Sequence, residues 1–225
     1  MARYGHGVGT GFLDGWLTED LGPMRRALVE HPLWAGLATG TTTDGHLRTF
    51  AAQDAWLIRE VHRLDGLAIA RAPDPESADA LIRKLVPKAG AIDLVVRFGE
   101  AVGLAAAACR DPAPLPGCAG LVSSFYYHLA RSTFVETIAA IGASETIFVE
   151  ICGRWEDALL ARGLSRDSIA FFACHEGLEA AEREATALVG RLIRAEADAR
   201  AVTAAVKLTY GLERLFYDTV LANPT

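Results

Sequence analysis

Asp54, Glu145 and Glu213 are carboxylates on stretches of chain that are otherwise apolar at helical spacing. At about 100° per residue, the segment from Leu47 to Ala70 gathers Leu47, Phe50, Ala51, Ile58, Val61, Ala68 and Ile69 into one stripe. Asp54 and Asp65 project into its middle. Near the C-terminus, Val202, Val206, Thr209, Phe216, Tyr217 and Val220 share a face with Glu213 at its centre, and Lys207, Arg214 and Asp218 lie opposite. If a helix continues through Gly142, Glu145 joins Phe134, Ile138, Ile141 and Phe148, while Glu136 and Glu150 point away. A lone buried carboxylate costs several kcal/mol unless it is paired or hydrogen-bonded. Acids on apolar faces of different helices can converge on one pocket, where burial raises a carboxyl into the range useful for general acid/base work. The plainer alternative is that each acid meets an arginine or a helix N-terminus inside the core.

A second constellation is His175, Glu179 and Glu182, at i, i+4 and i+7 of one stripe. Histidine and glutamate at that spacing suit a carboxylate-bridged metal site. They equally suit a solvated acidic edge, since Glu176, Arg183 and Glu184 crowd the same segment.

The elements that must position these residues are helices. Alanine and leucine dominate, and strictly alternating β-branched runs are missing. The pattern predicts a helix from Asp14 to Val29 interrupted near Gly22-Pro23 and stopped at His31-Pro32, since the residue before proline avoids the α region. Thr43 or Asp44 can cap a long helix from about Gly45 to Ala70. Further helices are expected near 76–86, 91–108, 119–140, 143–162, 166–194 and 196–222, with Gly142 and Gly163 at breaks and Arg110 to Gly117 as the clearest loop. Residues 1–9 read as a flexible tail, followed by one all-α domain of seven or eight helices over residues 10–225. Trp16, Trp34 and Trp56 could serve an exposed apolar interface or simply pack locally.

Composition narrows the function. The 225 residues are 51% hydrophobic and 22% charged, which excludes a disordered chain. Lys+Arg total 22 against Asp+Glu 28, for a net charge of −6, which argues against nucleic acid or an anionic membrane as the main partner. The N-terminus has no apolar core of a signal peptide, and the longest apolar run, Leu104 to Cys109, is far too short to span a bilayer. The four cysteines have no metal-type spacing. A reduced, cytoplasmic, enzyme-sized protein is expected.

Three blocks then carry a resemblance. His31-Pro-Leu-Trp34 with Leu37, Gly40 and Phe50-Ala-Ala-Gln-Asp54 is the first, and Phe125-Tyr-Tyr-His-Leu129 with Glu136-Thr-Ile-Ala-Ala140 and Val149-Glu-Ile-Cys-Gly153 the second. Leu212-Glu-Arg-Leu-Phe-Tyr-Asp218 is the third. In this order they resemble the TenA (thiaminase II) and pyrroloquinoline-quinone-synthase group, from Phe12 to Ala222. The resemblance implies the all-α, single-domain, haem-oxygenase-like bundle. It matches Asp54 to the aspartate that holds an aminopyrimidine ring, and Glu213 to the glutamate that moves a proton at the scissile carbon. The family's nucleophilic cysteine falls on Ser144, beside Glu145, so the chain is similar to a Cys-less TenA class that relies on carboxylates. Leu57 replaces a family tyrosine, and Phe125 aligns with another, next to Tyr126 and Tyr127.

The reading is a hydrolase of thiamin-derived aminopyrimidines or a similar small heterocycle, in thiamin salvage, with no cofactor. Glu213, Glu145 and Ser144 are its catalytic residues, and Asp54, Phe50, Leu57, Phe125, Tyr126, Tyr127, His175 and Glu179 contact substrate. Two alternatives stay open. One is a haem-oxygenase-like iron or manganese oxidase, with Glu145, His175, Glu179 and Glu182 as ligands; its remaining ligands should fall between Lys84 and Leu94, where only Asp93 is suitable. The other is a non-catalytic small-molecule binder or regulator. Haem itself fits poorly: His31 precedes a proline in a loop, and His62 is placed on the flank of its helix, exposed or capping. The resemblance further implies a homodimer or homotetramer.

Overall fold

A computed structural model describes residues 21–175 and 179–225, apart from the side chains of Glu179, Ala181 and Glu182. Among the described residues every regular element is a helix. Helix α1 spans Gly22–Val29 and α2 Pro32–Thr39. Helix α3 spans Asp44–Ala70, α4 Pro75–Leu85, and a 3₁₀ turn follows at Val86–Lys88. Next come α5 (Ala91–Ala101), α6 (Ala106–Arg110), α7 (Pro116–Arg131) and α8 (Phe134–Ala161). The short α9 (Ala170–Ala173), α10 (Glu179–Leu192) and α11 (Glu196–Ala222) complete it. Helix α11 packs along α7 and α8, and α3 packs across α5 and α7, so the four long helices α3, α7, α8 and α11 surround the core.

Helix starts follow local chemistry. The His31 Nδ1 accepts from the Leu33 amide and caps α2, Thr43 caps α3 with His46 closing a capping box, and Thr133 with Glu136 does the same for α8. Because His31 Nδ1 accepts, its Nε2 carries the proton, which it donates to Asp218 at 3.1 Å. The His31-Pro block is therefore a cap that ties α2 to α11. It seats Trp34 edge-on to Phe50 (4.8 Å between centroids) and Tyr217 (5.4 Å).

Several boundaries differ from the sequence reading. Gly22-Pro23 opens α1, because proline at the first turn needs no amide partner; the expected helix before it, 14–20, and the tail 1–9 lie outside the described residues. Pro32–Thr39 is helical. The stretch 91–108 breaks at Gly103, whose φ of +88° ends α5. Gly142 does not break α8; the boundary lies ten residues earlier, where the Thr133 capping box outcompetes continuation of α7. The expected helix 166–194 is split between α9 and α10. These splits give more helical segments than the seven or eight expected. Trp34 is fully buried and Trp56 packs against the core, so neither is an exposed interface residue; Trp16 lies outside the described residues. One glycine is required by close approach: a Cβ on Gly117 would sit 2.5 Å from the Leu215 carbonyl oxygen, where α7 meets α11.

Candidate functional site

A cavity of about 80 Å³ lies between the long helices. A buried water needs only ~10–15 Å³, so there is room for a small ring. Its walls come from several places in the chain. Helix α3 supplies Asp54, Leu57 and His62; α7 supplies Phe125; and α8 supplies Ser144, Glu145 and Phe148. Phe171 of α9 and the two residues after that helix, Cys174 and His175, close one side, Lys88 of the 3₁₀ turn another, and Glu213 of α11 the floor. Of the residues singled out from sequence, the fold brings Asp54, Leu57, Phe125, Ser144, Glu145, His175 and Glu213 together here.

Glu213 and Asp54 form the buried acid pair. Glu213 is 3% exposed and Asp54 4%. The Ser144 hydroxyl donates to Glu213 Oε2 at 2.6 Å. Burial pushes the Glu213 carboxyl up to about 7, with Ser144 and the Tyr217 phenol opposing. Burial, and then the charge of Glu213, hold the Asp54 carboxyl well above its ordinary range. Asp54 Oδ2 has no hydrogen-bond partner. The neighbouring Gln53 faces elsewhere: it donates to the Ala113 carbonyl and accepts from the Leu115 amide, pinning the 111–115 loop.

Glu145 sits in a different environment. Its two oxygens are ion-paired with Lys84 and Lys88, and the same lysines approach Asp65 at 3.9 and 3.5 Å. Burial would raise Glu145, but the two ammonium groups outweigh it and keep the carboxyl below its ordinary value. Glu145 is thus a fixed anion, poorly suited to carry protons at neutral pH, which corrects its expected share in acid/base chemistry. Sequence reasoning missed both lysines. The segment searched for acids supplies cations instead: Asp93 turns outward to Arg110 at 2.7 Å. The signal was present, because Ser77, Ala80, Leu81 and Lys84 are the buried stripe of α4, and the wheel that flags Asp65 flags Lys84 too.

Other expectations need correction. Phe50 does not line the cavity; it is wholly buried below it, against Trp34 and Phe148. Tyr126 turns its hydroxyl away to donate to Glu60 at 2.8 Å, and Tyr127 is 57% exposed. Neither touches the cavity. His62 is half-buried rather than exposed: it lines the cavity, and its Nε2 is buried without a partner. The likeness to a class without cysteine stops at position 144. The chain has four free cysteines, and Cys174 stands on the cavity wall. Burial raises the Cys174 thiol, so it is not a ready thiolate.

The metal alternative rests on Glu145, His175, Glu179 and Glu182. His175 Nδ1 donates to the Phe171 carbonyl at 2.7 Å, which leaves a lone pair on Nε2, and burial lowers its pKa to about 4. The side chains of Glu179 and Glu182 lie outside the described residues. Among the described residues no three potential ligands converge. Two ammonium groups on Glu145 repel a cation there, so the described donors do not fit an iron or manganese centre.

A family model described as TENA/THI-4/PQQC family matches residues 19–220. No curated protein matches the sequence. Among solved structures, a TenA homologue from Pseudomonas syringae pv. tomato superposes with a TM-score of 0.78 at 16% identity, covering 92% of each chain. A domain of unknown function with a haem-oxygenase-like fold from Shewanella denitrificans gives 0.79 at 15%, covering 92% of this chain and 90% of that one. A structure described as a TenA family transcription regulator from Silicibacter gives 0.73 at 19%, covering 95% and 97%. At these identities the likeness establishes the haem-oxygenase-like fold.

Proposed function

The chain belongs to the TENA/THI-4/PQQC family, and we propose that it is a hydrolase of a C–N bond on an aminopyrimidine or a similar small nitrogen heterocycle, of the kind released when thiamin degrades. The observation that carries the reading is the pair of buried acids in one cavity: Glu213 raised to about 7 and bonded to Ser144, and Asp54 with an unpartnered oxygen. Two buried carboxyls that repel each other's charge hold a proton at neutral pH. A protonated Asp54 both donates and accepts, which matches the ring nitrogen and the amino group of an aminopyrimidine edge. Leu57, Phe125 and Phe148 supply apolar walls for the ring.

The chemistry balances with water alone. Glu213 takes a proton from water as its oxygen bonds to the exocyclic methylene carbon. The C–N bond breaks, its electrons stay on nitrogen, and Glu213 returns the proton to the leaving amine. Ser144 fixes the orientation of the Glu213 carboxyl. The reading assigns no cofactor and gives Glu145 a structural charge. It carries with it a cytoplasmic site of action, a homodimeric or homotetrameric assembly, and neither nucleic acid nor membrane as partner. Among the described residues no helix is long and apolar enough to cross a membrane.

The test is a mass-spectrometric turnover assay on metal-free protein, with aminomethyl- and formamidomethyl-aminopyrimidine and thiamin as substrates. Formation of hydroxymethylpyrimidine is the expected result. Folded protein that yields no product from any of the three refutes the proposal.

A further inference from the structure

The hydrolase reading occupies only one end of the cavity. Asp54, Leu57, Ile58, Val61 and His62 all line it from α3, one face of a helix over more than two turns. At ~1.5 Å rise per residue, eight residues separate Asp54 from His62 by about 12 Å. A six-membered ring held at Asp54 spans roughly half of that. At the far end His62 Nε2 is buried with no partner, as Asp54 Oδ2 is at the near end. A polar atom left so costs ~1–3 kcal/mol. Two of them on one wall of one cavity mark two positions where a ligand's polar atoms belong.

The surroundings of His62 define what belongs there. Among the described residues, Asp65 and Glu145 are matched by Lys84 and Lys88, so the described groups at this end carry no net charge. Burial, helped by Lys88 and opposed by Asp65 and Glu145, holds the His62 imidazole below its ordinary pKa and therefore neutral at pH 7. A neutral imidazole pairs with a hydroxyl or an amide. A carboxylate or phosphate would bring an uncompensated charge to a balanced, buried cluster.

We infer that His62 is a specificity-determining residue that binds the uncharged, hydrogen-bonding tail of a ligand two helical turns long. The inference rests on the hydrolase reading and deepens it: the nitrogen that departs carries a hydroxyl- or amide-bearing chain, longer than ammonia or formamide. The bond that breaks is the same, and a substituted amine or amide leaves with the proton returned by Glu213.

Calorimetric titration of the full chain tests this with three probes: aminomethyl-aminopyrimidine, its N-glycolyl amide and its N-succinyl amide. The wild type binds the glycolyl compound roughly tenfold more tightly than the short one, the worth of one good buried hydrogen bond, and the succinyl compound gains nothing. In His62→Ala the ratio of glycolyl to short affinity falls towards one, and in His62→Gln part of it is kept. A ratio unchanged in His62→Ala, no gain in the wild type, or a preference for the succinyl compound overturns the inference while leaving the hydrolase reading intact. No binding of the short compound overturns both.

Discussion

Glu213→Gln separates a buried proton-carrying acid from a merely polar core residue. Glutamine keeps the size of the side chain and an oxygen that accepts from Ser144, but it cannot ionise. Raising the Glu213 carboxyl from 4.5 to about 7 on folding costs, at ~1.36 kcal/mol per pH unit, about 3 kcal/mol once the pH exceeds both values. The sign follows from proton counting. Between those values the folded chain holds a proton that the unfolded chain has lost, so stability falls as pH rises through the window and is level above it. Wild type and Glu213→Gln are then nearly equal at pH 4.5, and the variant is more stable by about 3 kcal/mol at pH 8. For a chain of this size that corresponds to roughly 6–12 °C in Tm. Urea unfolding at a series of pH values measures the difference, and most other titrating groups cancel between the two proteins. Turnover in the variant falls by ~100-fold or more. Parallel stability curves from pH 4.5 to 8 refute the burial argument, and retained turnover refutes the catalytic one.

Three further outcomes follow from the same geometry. Asp54→Asn weakens aminopyrimidine binding by roughly 10- to 100-fold, because the amide cannot supply the carboxyl's hydrogen-bonding pattern; the variant stays folded, as circular dichroism will check, since it removes a buried acid with an unpartnered oxygen. Glu145→Gln removes the carboxylate that Lys84 and Lys88 share and costs ~3–5 kcal/mol in urea unfolding, whereas adding Lys88→Met recovers much of that loss; simple addition of the two penalties would contradict the ion cluster. Gly117→Ala places a methyl group 2.5 Å from the Leu215 carbonyl and lowers stability by ~1–3 kcal/mol, visible as a drop in Tm; an unchanged Tm would mean that α7 and α11 can separate freely.

The register of the longest helices was legible from one dimension. The stripe that includes Leu47, Phe50 and Val61, and the one that includes Val202, Phe216 and Val220, are buried as their spacing requires, so Asp54, Asp65 and Glu213 had to enter the interior with them. A period of 3.6 residues is a local property, and a short window of sequence contains all of it. Helix ends were less legible wherever two local signals competed, as at Thr133 and Gly142. A glycine costs a helix interior only ~1 kcal/mol, which packing of α8 against α11 readily overrides.

Which partner each buried acid meets was decided in three dimensions. Asp65 and Glu145 find lysines from α4 and its following turn, while Glu213 finds the Ser144 hydroxyl, 69 residues away in the chain. The wheel shows that an acid points inward and is silent about what faces it there. The same holds for Phe50, Tyr126 and Tyr127, whose motif positions put them near the site, and for His62, which the sequence put on the flank of its helix: their side-chain directions depend on neighbouring helices. Sequence alone thus determined an all-helical chain with acids inside it. The tertiary structure decided that one acid is clamped as a permanent anion and another is left poised near neutrality. Charge balance in a buried space depends on residues brought together from distant segments.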